Sequence, residues 1–291
     1  MKNTKVEIVL NTGFIHLDKF VRDVPACFEG FTDILQNQRN DIRTCLINGD
    51  RMVIKSFKGM YWPNRLAYSL FRKSKAKRSF EISLKLLSLS IHVPIPVAFI
   101  DCYRYGWLTQ SYFISLYFDH TTFSEFVNDS RIKEKTLLSF SDFTYRLHEK
   151  MIYHGDYSNG NILCNEQLDQ VKFTLVDLNR VVFREVGFWR GIENFSKLNV
   201  SISDLKILVQ RYAALCNRPA DLALYKVLQV RKRRAQSSRW RKMLKSIFYP
   251  RKDVSRQQSI ETKSNTFQNE PIERNQLLPQ TNYAKADRND Q

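Results

Sequence analysis

Asp156 and Asn161 stand five positions apart in the stretch "HGDYSNGNIL", and Asp177 follows 21 residues after Asp156 in "TLVDLNR". Transfer of a phosphoryl group from a nucleotide needs groups of these types: a carboxylate at the acceptor hydroxyl, and an amide oxygen with a second carboxylate to hold magnesium on the phosphates. The same chemistry requires a strand lysine at the α/β-phosphates and a helical glutamate to orient it. Lys55 in "VIKSF" and Glu81 in "SFEISLKLL" stand in that order. A plain Asx-rich turn, which such a composition also favours, does not by itself predict this ordered series.

The elements that would position these groups can be read from pattern. "RTCLI", Asn48-Gly49-Asp50 and "RMVIKSF" form a hairpin signal whose return strand carries Lys55. A helix is expected over about Ser74–Ser90. At about 100° per residue, Phe80, Leu84 and Leu87 fall in one stripe, with Glu81 about 60° to its side. "VPIPVAFI" and "GWLTQSYFISLYF" read as further buried strands. In the second half Leu137, Phe140, Phe143, Leu147 and Met151 share one helical face, and that helix ends at the Asp156 loop. Short strands follow at "NILC" and "VKFTLV", and helix resumes from about Glu193 to Lys245. Tyr157 and Asn159 inside the loop either face an acceptor or serve the turn. His154 is read as structural, and the remaining histidines lack ligand spacing.

The chain has 291 residues, 43% of them hydrophobic, enough for one sizeable core or two lobes sharing a cleft. Its five cysteines lie far apart with no C-x-x-C pair, which suggests neither a disulfide framework nor a zinc site and fits a reducing cytosol. "MKNTKVEIVLNTGF" has no apolar run of the signal-sequence kind, so a soluble or peripheral protein is expected. The formal net charge of +17 is concentrated: Lys226 to Lys252 holds eleven Lys or Arg and no acid, and Lys58 to Arg78 holds seven and no acid. Such patches suit a polyanionic partner. Trp240, Met243, Leu244, Ile247 and Phe248 interleave the C-terminal block in the manner of an interfacial amphipathic helix. From Asp253 onward the chain is Gln-, Asn- and Ser-rich and reads as a disordered tail.

"HGDYSNGNIL", "VDLNR", "VIKSF" and "SKAKRSFEISLKLLSLSIHVPIPVAFI" together resemble the bacterial Kdo and heptose kinases of lipopolysaccharide core assembly, a branch of the protein-kinase-like superfamily. The similarity covers roughly residues 30–245. It implies an α+β fold of two lobes, a small antiparallel-sheet N-lobe (1–115) and a mainly helical C-lobe (116–252), followed by the polar tail (253–291). It implies an ATP- and Mg2+-dependent phosphorylation of a sugar hydroxyl on a lipid A-linked core oligosaccharide. In this reading Asp156 is the base, Lys55 contacts the phosphates, Glu81 pairs with Lys55, and Asn161 and Asp177 bind the metal. His154 would brace the loop through its backbone. An acceptor of that kind places the protein in the cytoplasm, peripheral on the inner face of the cytoplasmic membrane, with Arg231–Lys252 on anionic lipid and no nucleic-acid partner.

Departures from protein kinases shape the alternatives. No G-x-G-x-x-G precedes the Lys55 strand, so phosphate covering falls to backbone amides and to Arg39 or Asn40, and "DLN" stands where D-F-G would. No A-P-E segment follows, which counts against a regulated protein kinase. "HGD" also occurs in aminoglycoside, choline and Rio-type kinases, so a small-molecule or atypical protein kinase is the competing enzyme. A non-catalytic binding protein on a kinase fold is the competing reading from another class.

Overall fold

The computed structural model describes residues 4–37, 40–57, 73–167 and 170–248. Strand β1 (Thr4–Leu10) and helix α1 (Asp18–Cys27) precede a run of strands β2 (Asp33–Asn37), β3 (Asp41–Ile47) and β4 (Asp50–Ser56). Helix α2 (Lys75–Ser88), β5 (Pro96–Arg104) and β6 (Trp107–Leu116) complete the N-terminal region. The six strands form one antiparallel sheet in the order β1-β5-β6-β4-β3-β2. Two tight turns set its register. Asn48 and Gly49 both take positive φ, +53° and +88°, as do Tyr105 and Gly106, +53° and +79°. That geometry matches the twist of two-residue hairpins. Ile47 therefore faces Asp50, and Arg104 faces Trp107.

Residues 4–30, for which the sequence pattern offered no assignment, close one side of this sheet. β1 pairs with β5, and Val21 and Val24 of α1 are buried with Met52, Ile54, Ile100 and Ile114. Ser74 caps α2 by accepting from the Lys77 N–H. Phe80 of this helix and Phe99 of the sheet pack edge to face at 5.6 Å.

The C-terminal region is mainly helical: α3 (Phe123–Asn128), α4 (Lys133–Glu149), α5 (Phe188–Ile192), α6 (Ile202–Leu215) and α7 (Ala220–Phe248). Between α4 and α5 run short strands, β8 (Ile152–His154), β9 (Ile162–Gln167), β10 (Gln170–Leu175) and β11 (Val181–Phe183). β9 pairs with β10 and with β7 (Thr121–Thr122), and β8 pairs with β11. Leu137, Phe140, Phe143 and Leu147 of α4 enter the core, as the helical period predicts. Met151 does not. It follows the end of α4 with φ +57° and is exposed, because the chain must reverse there to begin β8.

Residues Met1–Gln236 form one compact unit, and the end of α7 belongs to a second, Ser237–Gln291. Among the described residues no helix is long and apolar enough to cross a membrane. The basic connector after Lys55 (58–72), residues 168–169 and the polar tail lie outside the described residues. So do the end of the basic block, from residue 249, and the side chains at 241, 242 and 244–248.

Candidate active site

Lys55, Asn161 and Asp177 line one cleft of about 540 Å³ within the first unit. Its walls are apolar, from Ile42, Val53, Leu116, Leu163 and Val176, and the chain segment Tyr117–Phe118 runs along its side. An apolar slot of this size with a few converging polar groups is the usual form of a cofactor site. Asn40 lines the cleft, as do Leu35 and Gln36 of β2, so side chains of the β2–β3 hairpin stand where a glycine-rich loop would. Arg39 lies outside the described residues.

Lys55, on β4, places its Nζ 2.9 Å from Asp177 Oδ1. Burial of Asp177 raises its pKa, but the Lys55 charge and hydrogen bond, with Asn179, outweigh that effect and hold the carboxyl below its usual value. Asp177 itself adopts a left-handed backbone, φ +52° and ψ +59°. Such a conformation costs a non-glycine residue about 1 kcal/mol and tends to occur where a side chain must be aimed.

The loop carrying Asp156 is held from three sides. His154 is buried; its Nδ1 accepts from the Asp156 N–H at 3.1 Å and its Nε2 lies 3.2 Å from the Val176 carbonyl oxygen. This pair of bonds fixes the neutral Nε2–H tautomer and ties the Asp156 loop to the residue before Asp177. Burial also keeps the His154 pKa low. Asn161 donates through Nδ2 to the Asp156 carbonyl at 2.8 Å, so its Oδ1 is the atom that can ligate a cation. Gly155 donates its N–H to Arg180 O, and a Cβ on it would stand 2.6 Å from that oxygen. The middle residue of "HGD" is glycine because the β8–β11 strands close on it. The Asp156 carboxylate meets the Arg180 guanidinium at 3.3 Å.

Two sequence expectations are corrected here, and one open alternative is decided. Glu81 does not pair with Lys55; it binds Lys73 Nζ at 2.7 Å. The reason is helical phase. Ala76, Ser79, Phe80, Ser83 and Leu86 are the buried residues of α2, and Ser79 and Ser83 line the cleft. Glu81 sits about 160° round the helix from the middle of that arc. Counting only large apolar residues put Leu84 in the buried stripe, but Leu84 is exposed and two serines take the inward positions. The α2 side chain that reaches the Asp177 segment is Arg78, which donates to the Asn179 carbonyl.

Tyr157 and Asn159 serve the turn rather than an acceptor. Tyr157 is fully buried, bonded to Thr144 Oγ1 at 2.8 Å and stacked on Phe140. Asn159 donates to Ser124 and to Asn199 O and accepts from the Asn199 N–H. Arg231, assigned to a lipid surface, instead donates to the carbonyls of Leu198 and Val200 and is half-buried.

Lys197 is the site group that the sequence did not reveal. Its Nζ donates to Gly155 O at 2.7 Å, one peptide from Asp156. Burial draws its pKa down to about 8; Arg234, Arg190 and Arg180 push the same way and Asp156 opposes them. Nothing in the spacing of "NFSKLNV" marks this lysine, because only the fold brings residue 197 to residue 155.

A family model described as "Lipopolysaccharide kinase (Kdo/WaaP) family" matches residues 55–218. Among solved structures, one entitled "WaaP in complex with acyl carrier protein" is 14% identical, with a TM-score of 0.56, over 79% of this chain and 98% of that one. The Rio2 kinase of Chaetomium thermophilum, solved as an ADP/Mg2+-phosphoaspartate complex, is 16% identical over 77% of each chain, with a TM-score of 0.44. No curated protein matches the sequence. The fold is thus the protein-kinase-like one, an antiparallel N-terminal sheet joined to a helical C-terminal region.

Proposed function

The chain belongs to the lipopolysaccharide kinase (Kdo/WaaP) family, and on that premise we propose that it phosphorylates a sugar hydroxyl, of Kdo or heptose, on the lipopolysaccharide inner core. The observation that carries the reading is the convergence of Lys55, Asn161 and Asp177 on one apolar-walled cleft, beside a loop that presents Asp156.

The donor set fits ATP with Mg2+. Asn161 Oδ1 and the Asp177 carboxylate are hard oxygen ligands, and magnesium takes few protein ligands, completing its shell with waters and phosphate oxygens. When bound, Mg-ATP supplies the transferable phosphoryl group and screens its negative charge. Lys55 holds the phosphates by charge while Asp177 and Asn161 hold the cation. Asp156 accepts the proton of the acceptor hydroxyl through a carboxylate that Arg180 orients. His154 keeps the two halves of the site at fixed spacing through its paired backbone bonds.

The acceptor would be anchored to lipid A, so the enzyme would work peripherally on the inner face of the cytoplasmic membrane. The exposed Trp240 and Met243 in the basic end of α7 support that reading. Mass spectrometry of lipopolysaccharide from cells with and without this protein tests the function. A core lighter by phosphate in its absence is expected, and identical core masses would sink the proposal.

A further inference from the structure

Beside the Asp156 loop, among residues that do not line the cleft, cations gather with few carboxylates to balance them. Arg184, Arg190 and Lys197 all lie over the ring of Tyr153, at 5.6, 4.8 and 5.2 Å from its centroid. Arg234 acts on both Tyr153 and Lys197, and Arg180 acts on Lys197. The acids facing this group are Glu193, which binds Arg190 at 2.9 Å, and Asp156 itself. None of these cations lines the Lys55 cleft.

A tyrosine face offsets part of the repulsion among three cations, but it does not balance five. Lys197 is also fixed: one of its N–H donors goes to Gly155 O, which leaves two for a ligand. Convergent Arg and Lys donors of this kind recognise oxyanions.

We infer that Lys197, Arg180, Arg184, Arg190 and Arg234 form a subsite for an oxyanion of the acceptor, a carboxylate or a phosphate carried next to the hydroxyl presented to Asp156. The inference rests on the phosphotransferase reading above. It assigns acceptor selection to charge at this basin, apart from the cleft that Lys55, Asn161 and Asp177 line.

The test uses deacylated inner-core oligosaccharide in three forms: native, with carboxyl groups reduced to alcohols, and with phosphates removed by hydrofluoric acid. Binding to the full chain is measured by calorimetry and transfer by steady-state kinetics. Arg184→Gln with Arg190→Gln should weaken native oligosaccharide binding and raise its KM about tenfold or more, with the KM for ATP within about twofold. Lys197→Gln, which keeps an N–H donor but no charge, should do the same, and Lys197→Arg should recover most of the loss. Of the two stripped oligosaccharides, the one lacking the recognised group should bind wild type as poorly as the native form binds the double variant, which identifies the anion as carboxylate or phosphate.

Equal binding of all three forms by wild type, or unchanged native binding by the variants, overturns the subsite. If wild type binds with this charge dependence yet transfers nothing, the subsite stands and the phosphotransferase reading fails. If transfer occurs but the variants change neither binding nor KM, the reverse holds. Failure of wild type to bind the native form overturns both.

Discussion

Lys55 Nζ and Asp177 Oδ1, 122 residues apart in sequence, meet at 2.9 Å across the cleft. The contact joins the strand cation proposed to hold phosphate to the carboxylate proposed to hold metal. Lys55→Met should therefore raise the pKa of Asp177, whose carboxyl that ammonium helps hold low. The sign follows from linkage: a carboxylate with a depressed folded-state pKa adds stability above its unfolded value, about 3.9, and that stability is lost as pH falls through the folded pKa. Carbon-detected NMR titration of Asp177 should show the upward move. An unchanged titration would mean that the pair is not electrostatically coupled in solution.

Glu81→Ala should leave Mg-ATP affinity within about twofold, because Glu81 binds Lys73 on a face of α2 turned from the cleft and exposed pairs of this kind contribute little. Arg78→Ala should weaken it more, since Arg78 ties α2 to the Asn179 carbonyl beside Asp177. Calorimetry on both variants decides. A large loss in Glu81→Ala alone would show that α2 rotates to bring Glu81 to Lys55 in the working enzyme.

Asp156→Ala should lower turnover by about 10² to 10⁴ while the melting temperature stays near wild type, the usual cost of removing a general base. Its carboxylate contacts Arg180 at the surface and packs no core. Near-full activity in the variant would remove Asp156 from the proposed chemistry.

His148 should make the fold acid-sensitive. It is buried between Tyr212 OH, at 2.8 Å from Nδ1, and Asn194 Nδ2, at 3.2 Å from Nε2, and burial lowers its pKa to about 4. Below the unfolded value near 6.5 the unfolded chain binds a proton that the folded chain refuses. Stability should then fall between about pH 6.5 and pH 4, by about 3 kcal/mol in all. Denaturant melts of wild type and His148→Gln across that range test it. The variant should lose the corresponding part of the slope, and parallel curves would refute the assignment.

The proposed membrane attachment should depend on the exposed side chains of α7 and not on Arg231, which is spent on the Leu198 and Val200 carbonyls. Replacing Lys232, Arg239 and Trp240 with Ser should release the protein from vesicles containing anionic lipid, each cation contributing about 1 kcal/mol at low salt. Sedimentation with vesicles measures it. Retention equal to wild type would remove this helix from any lipid contact.

The groups to which the proposed function gives roles were legible in the sequence because they lie on local signals. Asp156, Gly155 and Asn161 share one loop between a periodic helix and a strand, and the Asn48-Gly49 turn dictates the hairpin that carries Lys55. Spacing of this kind is set by the backbone, so it survives in a single sequence. Side-chain partnership was not legible in the same way. Glu81 looked like a partner for Lys55 because serines counted as polar, yet Ser79 and Ser83 are buried and turn α2 so that Glu81 faces away. Burial of small polar residues is decided by what packs against them, and Ser83 is accommodated by donating its hydroxyl to the Ser79 carbonyl.

By itself the sequence determined the order of the catalytic-type residues, the antiparallel hairpins and the excess of positive charge. Only the tertiary structure decided that Lys55 meets Asp177, that Tyr157 and Asn159 belong to the loop's support, that Arg231 turns inward, and that Lys197 reaches Gly155. Each of these contacts joins residues well separated along the chain. Such contacts depend on how layers pack, on helical phase and on competition among nearby partners, and the local period of the sequence carries none of that information.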